Sequence, residues 1–242
     1  MSTSSRSARE KAKLQQEQAA RRARERRVLG IVALALVLVV VGGIVGVQFW
    51  RTGRTPSAVP STTSSLAPAT IAAGKPIVLG SAGAPHRMRL YEDFHCAHCA
   101  EFEEKFGPTI TETQDAGRLA VEVYPMSFID AGSASAANAM ACAAESGFGQ
   151  TYYLGLFANA SLDWEDDQLI ALADQVSTTV PAEFSSCVTT RAHQPWVDSI
   201  NAAAEQAGVT ATPTMILDGA PVDIATLTPE TLKTMINQAA AK

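Results

Sequence analysis

Hydrophobic and polar positions divide the chain into three regimes. Residues 28–50 (VLGIVALALVLVVVGGIVGVQFW) are 23 positions without a charge. As a helix they would reach about 35 Å, enough for a hydrocarbon core of roughly 30 Å, so a transmembrane helix is expected. Residues 51–75 are rich in Ser, Thr, Pro and Ala; with few large side chains to offset chain entropy they predict a semi-extended linker. From 76 to 242, short apolar runs alternate with helical periodicities over a length that suits one domain.

Within that domain, 77–79 and 88–94 predict strands, 97–116 a helix, and 119–126 (LAVEVYPM) an alternating strand, which together make a βαβ unit. Helical patterns then follow at 133–146, 150–158, 164–176 behind an Asp163 cap, 182–191 after Pro181, and 197–207 before Gly208. Strand character returns at 214–217. Asp218-Gly219 is a hairpin signal with 222–224 as the partner. Thr228, Pro229 and Glu230 are placed to start a last helix as cap, first residue and dipole partner.

Charge orients this arrangement. The whole chain has a net charge of −5, but residues 1–27 carry nine Lys/Arg against three Asp/Glu, leaving −11 for the rest. Arginines 21, 22, 24, 26 and 27 crowd the near side of the apolar run, and only Arg51 and Arg54 follow it closely. The positive-inside bias places residues 1–27 in the cytoplasm as a basic tail and the domain outside the cell membrane, on a single-pass protein. The run exceeds a signal-peptide core and ends in Phe49-Trp50-Arg51, so an uncleaved anchor is expected. An acidic domain excludes nucleic acid as a partner.

The chemistry sits in His95-Cys96-Ala97-His98-Cys99. The pair Cys96-x-x-Cys99 falls where a strand ends and a helix begins, and unpaired N–H groups there favour a thiolate at Cys96. Cys99 is one turn on and can close a disulfide, so Cys96 attacks and Cys99 resolves. His98 is a candidate donor or partial cation toward the thiolate. A zinc site would need a second ligand pair, and none is present; no metal is expected. His86 and His193 read as solvated surface residues and His95 as a border of the site. Glu101, Glu103 and Glu104 read as a solvated acidic face, and Trp164 and Trp196 as packing residues.

YEDFHCAHCAEFEE (91–104), the strand LAVEVYPMSF behind it, the helical stretch and ATPTMILDG (211–219) together resemble the DsbA-like branch of the thioredoxin superfamily, membrane-anchored members included. The resemblance covers about 76–241. It implies an α/β thioredoxin fold with a helical insertion at about 132–208. It also implies a cis peptide at Thr212-Pro213 beside the cysteine pair, with the preceding residue offering backbone groups to an extended substrate. Ala97 stands where many relatives have proline, and Leu90 where many carry a buried acid. Glu92 shares Leu90's side of the strand, which makes it the candidate proton-handling carboxylate.

Cys142 and Cys187 lie in different insertion helices. An even cysteine count in an oxidising compartment suits a structural disulfide, and anchored relatives with a second pair support it.

The function these features predict is an extracytoplasmic thiol:disulfide oxidoreductase that donates Cys96–Cys99 to reduced secreted or membrane proteins. It needs no organic cofactor, acts as a monomer, and is reoxidised by a membrane partner of the DsbB or VKOR type. A membrane-tethered reductase or isomerase, and a non-catalytic client-binding domain, are the competing expectations.

Overall fold

The computed structural model describes residues 67–238, together with Val37, Val41, Gly42 and Pro56. The tail 1–27, all but three residues of the 28–50 segment and most of the linker lie outside the described residues. Among those described, no helix is long and apolar enough to cross a membrane.

The domain is a five-stranded sheet with helices packed on it. Its elements run β1 (Ile77–Gly80), β2 (His86–Asp93), α1 (Ala97–Asp115), β3 (Leu119–Met126), α2 (Ala131–Glu145), α3 (Gly149–Ala158), α4 (Asp166–Val176), α5 (Glu183–Thr189), α6 (Gln194–Gln206), β4 (Thr214–Leu217), β5 (Ala220–Val222) and α7 (Pro229–Asn237). The strand order is β1-β3-β2-β4-β5. Only β2 and β3 are parallel, as α1 crosses over between them, and Leu90 pairs with Val123 and Glu92 with Pro125. One sheet face presents Leu79, Met88, Leu90, Val121, Val123 and Met215, all buried; Leu79, Leu90 and Val121 meet Ile110 of α1 and Tyr153 of α3. The other face carries Arg87 and Arg89 bonded to Glu122, and the stacked rings of Tyr91 and Tyr124. Glu122 and Tyr124 are only half-buried while the rest of β3 is buried. It is a central strand, so its polar-apolar alternation understates its burial.

The helical insertion fills the chain between β3 and β4. Its centre is α2, an alanine-rich helix buried along nearly its whole length. A disulfide joins Cys142 of α2 to Cys187 of α5, with Cα atoms 6.0 Å apart. Beside it the buried Asn138 donates to the carbonyls of Cys187 and Val188 and accepts from the His193 amide, so α2, α5 and the start of α6 are stitched at one point.

Several boundaries differ from those expected. Trp164 has φ +55 and turns into the core, so α4 starts at Asp166 behind a Glu165–Gln168 capping box, not behind Asp163. α5 is shorter than expected and is followed by a left-handed Arg191. α6 starts earlier, at Gln194, because Pro195 fits the first turn, where no N–H partner is lost. Asp218 (φ 51) and Gly219 (φ 86) make a two-residue turn with both central residues left-handed. β5 therefore begins at once, at Ala220, and not at 222. α7 has the Thr228 cap and Pro229 that its sequence suggests, with a Thr231 capping box added.

Candidate active site

The end of β2 is held by one carboxylate. Asp93 is fully buried; its Oδ1 accepts from the His95 amide at 2.9 Å and Ser133 Oγ at 2.7 Å, and its Oδ2 from the amides of Phe128 at 2.9 Å and Ile129 at 3.3 Å. Its carbonyl accepts from the Cys96 amide. Asp93 thereby ties the β2–α1 turn to the β3–α2 loop and to the first turn of α2. His95 continues the clasp through Nδ1 to Asp130, at 2.7 Å, and Nε2 to the carbonyl of Leu162, at 2.9 Å.

Cys96 is the N-cap of α1, in extended conformation, with no side-chain capping bond. Its thiol is directed at the carbonyl of Thr212, 3.7 Å away, just ahead of the cis Thr212-Pro213 peptide. The cysteine at the helix start and the cis-proline loop 116 residues later thus share one mouth. Cys96 is 8% exposed and Cys99, one turn deeper, is 0% exposed; both are free thiols. Burial, and then the neighbouring Glu92, push the Cys99 thiol far above its ordinary range.

Behind Cys99 stand two carboxyls and a phenol. Glu92 on β2 is fully buried; Glu103 on α1 is 8% exposed, and Tyr153 of α3 lies between them. Tyr153 Oη contacts Glu92 Oε2 and, at 2.8 Å, Glu103 Oε1. Burial, reinforced by the Glu103 charge, holds Glu92 well above the carboxylate range, and burial raises Glu103 to about 7. Burial also raises the Tyr153 phenol.

Cys96, Cys99, Glu92, Thr212 and Pro213 therefore converge. His98 does not join them: its side chain is 79% exposed and pairs with Glu101. His86, expected at the surface, is buried between Asp218 Oδ2 and the carbonyl of Gln238. His193 is largely covered and pairs with Glu145. Glu103 departs from the expected acidic face, whereas Glu101 and Glu104 are exposed. Asp93, Glu103 and Tyr153 are the residues that sequence reasoning missed. The signal for Glu103 was its spacing: with Cys99, Phe102 and Phe106 it lies on the buried face of α1.

A family model described as thioredoxin matches residues 72–238. The chain belongs to the thioredoxin family. Among solved structures of this family's fold, it is similar to the disulfide bond oxidoreductase DsbG of Mycobacterium tuberculosis, with 22% identity and a TM-score of 0.60 over 71% of this chain and 90% of that one. It is also similar to MdbA, a thiol-disulfide oxidoreductase from Actinomyces oris (21%, TM-score 0.58, 68% and 86%). A third is BdbD from Bacillus subtilis (19%, TM-score 0.59, 72% and 97%). No curated protein matches the sequence. This thioredoxin-family domain thus has the DsbA-type fold, its five insertion helices lying between β3 and β4.

Proposed function

We propose that the protein is an extracytoplasmic thiol:disulfide oxidoreductase that passes the Cys96–Cys99 disulfide to exported proteins, anchored by residues 28–50. The observation that carries this reading is the convergence of Cys96, at the open start of α1, with the Thr212 carbonyl beside the cis proline, while Cys99 is sealed behind it. A helix start is where negative charge on sulfur is best tolerated. The difference in access sets the order of events.

A client thiolate attacks Sγ of Cys96, the more accessible end of the disulfide. The Cys96–Cys99 bond breaks, and Cys99 departs with the electron pair and takes a proton, for which Glu92 is the near source. A second client thiolate then attacks the client sulfur of the mixed disulfide. Cys96 leaves as thiolate, and the client holds the new bond. The backbone ahead of Pro213 offers an extended client a hydrogen-bonding edge. Phe128 and Ile129, about half exposed on the loop that Asp93 holds beside the mouth, offer apolar contact to an unfolded one. The dithiol is returned to the disulfide by a membrane reoxidase of the DsbB or VKOR type.

The deciding experiment replaces Cys99 with Ala, which removes the internal thiol that would release a partner from Cys96, so that mixed disulfides formed when the Cys96 thiolate exchanges with a partner's disulfide persist. Exported proteins covalently held on Cys96, and their loss in Cys96→Ser, are the expected result. Retention of only a reducing membrane protein would overturn donation in favour of a reductase.

A further inference from the structure

One hydroxyl proton cannot lie on two hydrogen-bond lines at once. Tyr153 nevertheless meets Glu92 Oε2 from one side and Glu103 Oε1 from the other. With both carboxyls ionised, one of these contacts would set bare oxygens against each other in a site of low dielectric. A second proton resolves the conflict: one carboxyl donates to Tyr153 Oη, and Tyr153 donates to the other. Glu92 is the member placed to carry it, being wholly buried, with its charge felt by the Cys99 thiol; its Oε1 has no hydrogen-bond partner among the described residues.

Glu103 stands at the opposite end. It lines a cleft of about 620 Å³ between α1 and α3, with Ala100, Gly107, Leu154 and Phe157 among its walls. Gly107 makes its place there, since a Cβ at that position would lie 2.9 Å from Glu103 Oε2. The groups facing Glu92 are Cys96, Cys99 and Glu103 from α1 and Tyr153 from α3, and none of them is a cation.

We infer that Glu92, Tyr153 and Glu103 form a proton relay joining the buried sulfur of Cys99 to the cleft beside α1. The relay deepens the oxidoreductase reading and rests on it. When a thiolate attacks Cys96, the Cys96–Cys99 bond breaks and Cys99 leaves as a thiolate. Glu92 gives its proton to that sulfur. Glu103, protonated by water in the cleft, then donates to Tyr153 as the tyrosine hydroxyl proton passes to Glu92. One proton has entered from solvent and one sulfur has been protonated, so the step balances. Reoxidation drives the same chain outward.

The test uses the full-length oxidised protein mixed rapidly with excess dithiothreitol. Appearance of the Cys99 thiol is followed by acid quenching and alkylation, across the neutral pH range, in light and heavy water. Tyr153→Phe conserves volume in the core. It should slow the step about a hundredfold, the low side of what a positioned proton transfer contributes, and change the pH profile and solvent isotope effect, with the equilibrium against glutathione unmoved. In Glu103→Gln, a small carboxylic acid added at constant pH and ionic strength should restore the rate, while the parent protein does not respond.

The relay is overturned if Tyr153→Phe reacts at the parent rate with the parent pH profile. It is equally overturned if rate and equilibrium fall by one common factor, or if added acid has no effect on Glu103→Gln. Both variants retain Cys96 and Cys99, so such a failure leaves the oxidoreductase reading standing. A Cys99→Ala protein that captures no exported clients sinks that reading instead.

Discussion

Glu103→Gln isolates the energetic cost of keeping a carboxyl out of water. In the folded domain Glu103 is raised to about 7 from an ordinary value near 4.5, by burial and against the opposing bond from Tyr153, with no contribution from either active cysteine. The effect can therefore be measured in a background with both active cysteines replaced by Ala, which retains only the Cys142–Cys187 disulfide. A raised folded-state value means that the native protein binds the proton more tightly than the unfolded chain. The associated stability is complete below about pH 4.5 and is lost as pH climbs through about 7. At about 1.4 kcal/mol for each tenfold difference in proton binding, the loss is about 3 kcal/mol. With a urea slope of about 2 kcal/mol/M, the midpoint should fall by about 1.5 M across that window. Glutamine preserves shape and can still accept from Tyr153, but does not titrate, and it removes the like charge facing Glu92. The variant's urea midpoint should thus be much flatter with pH, and it should gain on its parent by about 3 kcal/mol between acid and mildly alkaline buffer. Parallel pH curves for the two proteins would refute the assignment of a raised carboxyl at position 103.

Three further outcomes follow from particular contacts. Replacing Cys142 and Cys187 together by Ala opens a cross-link spanning 45 residues, and the chain-entropy cost should lower stability by up to about 4 kcal/mol in denaturant titrations. Asp93→Ala strands four donors and should cost about 3 kcal/mol or more, while Asp93→Asn, which keeps one acceptor oxygen, costs clearly less; urea midpoints of the two variants check this. Gly132→Ala places a Cβ against the His95 ring and 2.5 Å from the carbonyl of Asp163. The backbone there cannot yield freely, so a loss of about 1–3 kcal/mol is expected, together with slower alkylation or exchange at the adjacent Cys96.

The sequence made the catalytic half of the fold legible because its signals are local. The CxxC pair marks the boundary between β2 and α1, and apolar spacing along 97–116 and 119–126 marks the crossover unit. Thr228-Pro229 likewise announces α7 by chemistry confined to one turn. What was not legible depends on partners distant in the chain. Tyr153 reaches Glu92 across 61 residues and Glu103 across 50, and nothing near position 153 signals either contact. His86 is buried only because Asp218 and the carbonyl of Gln238 satisfy both ring nitrogens. His98 fails in the opposite way: nearness in sequence to Cys96 suggested contact, yet the helix start turns it to solvent. Trp164 shows packing overriding cap preference, since burying its ring in a left-handed residue delays the helix that Asp163 would have started.

The separation of the two cysteine pairs bears on how the molecule itself matures. Four thiols admit three pairings, and a newborn chain exposes Cys96 and Cys99 long before Cys187 is synthesised. Once an oxidant of thiols is met, their close spacing lets these two pair with each other first, which would withhold both from the later pair. Cys142 is then left to find Cys187 as α2 and α5 dock. In this way the thiol pair at the start of α1 and the bond between α2 and α5 are kept from crossing over.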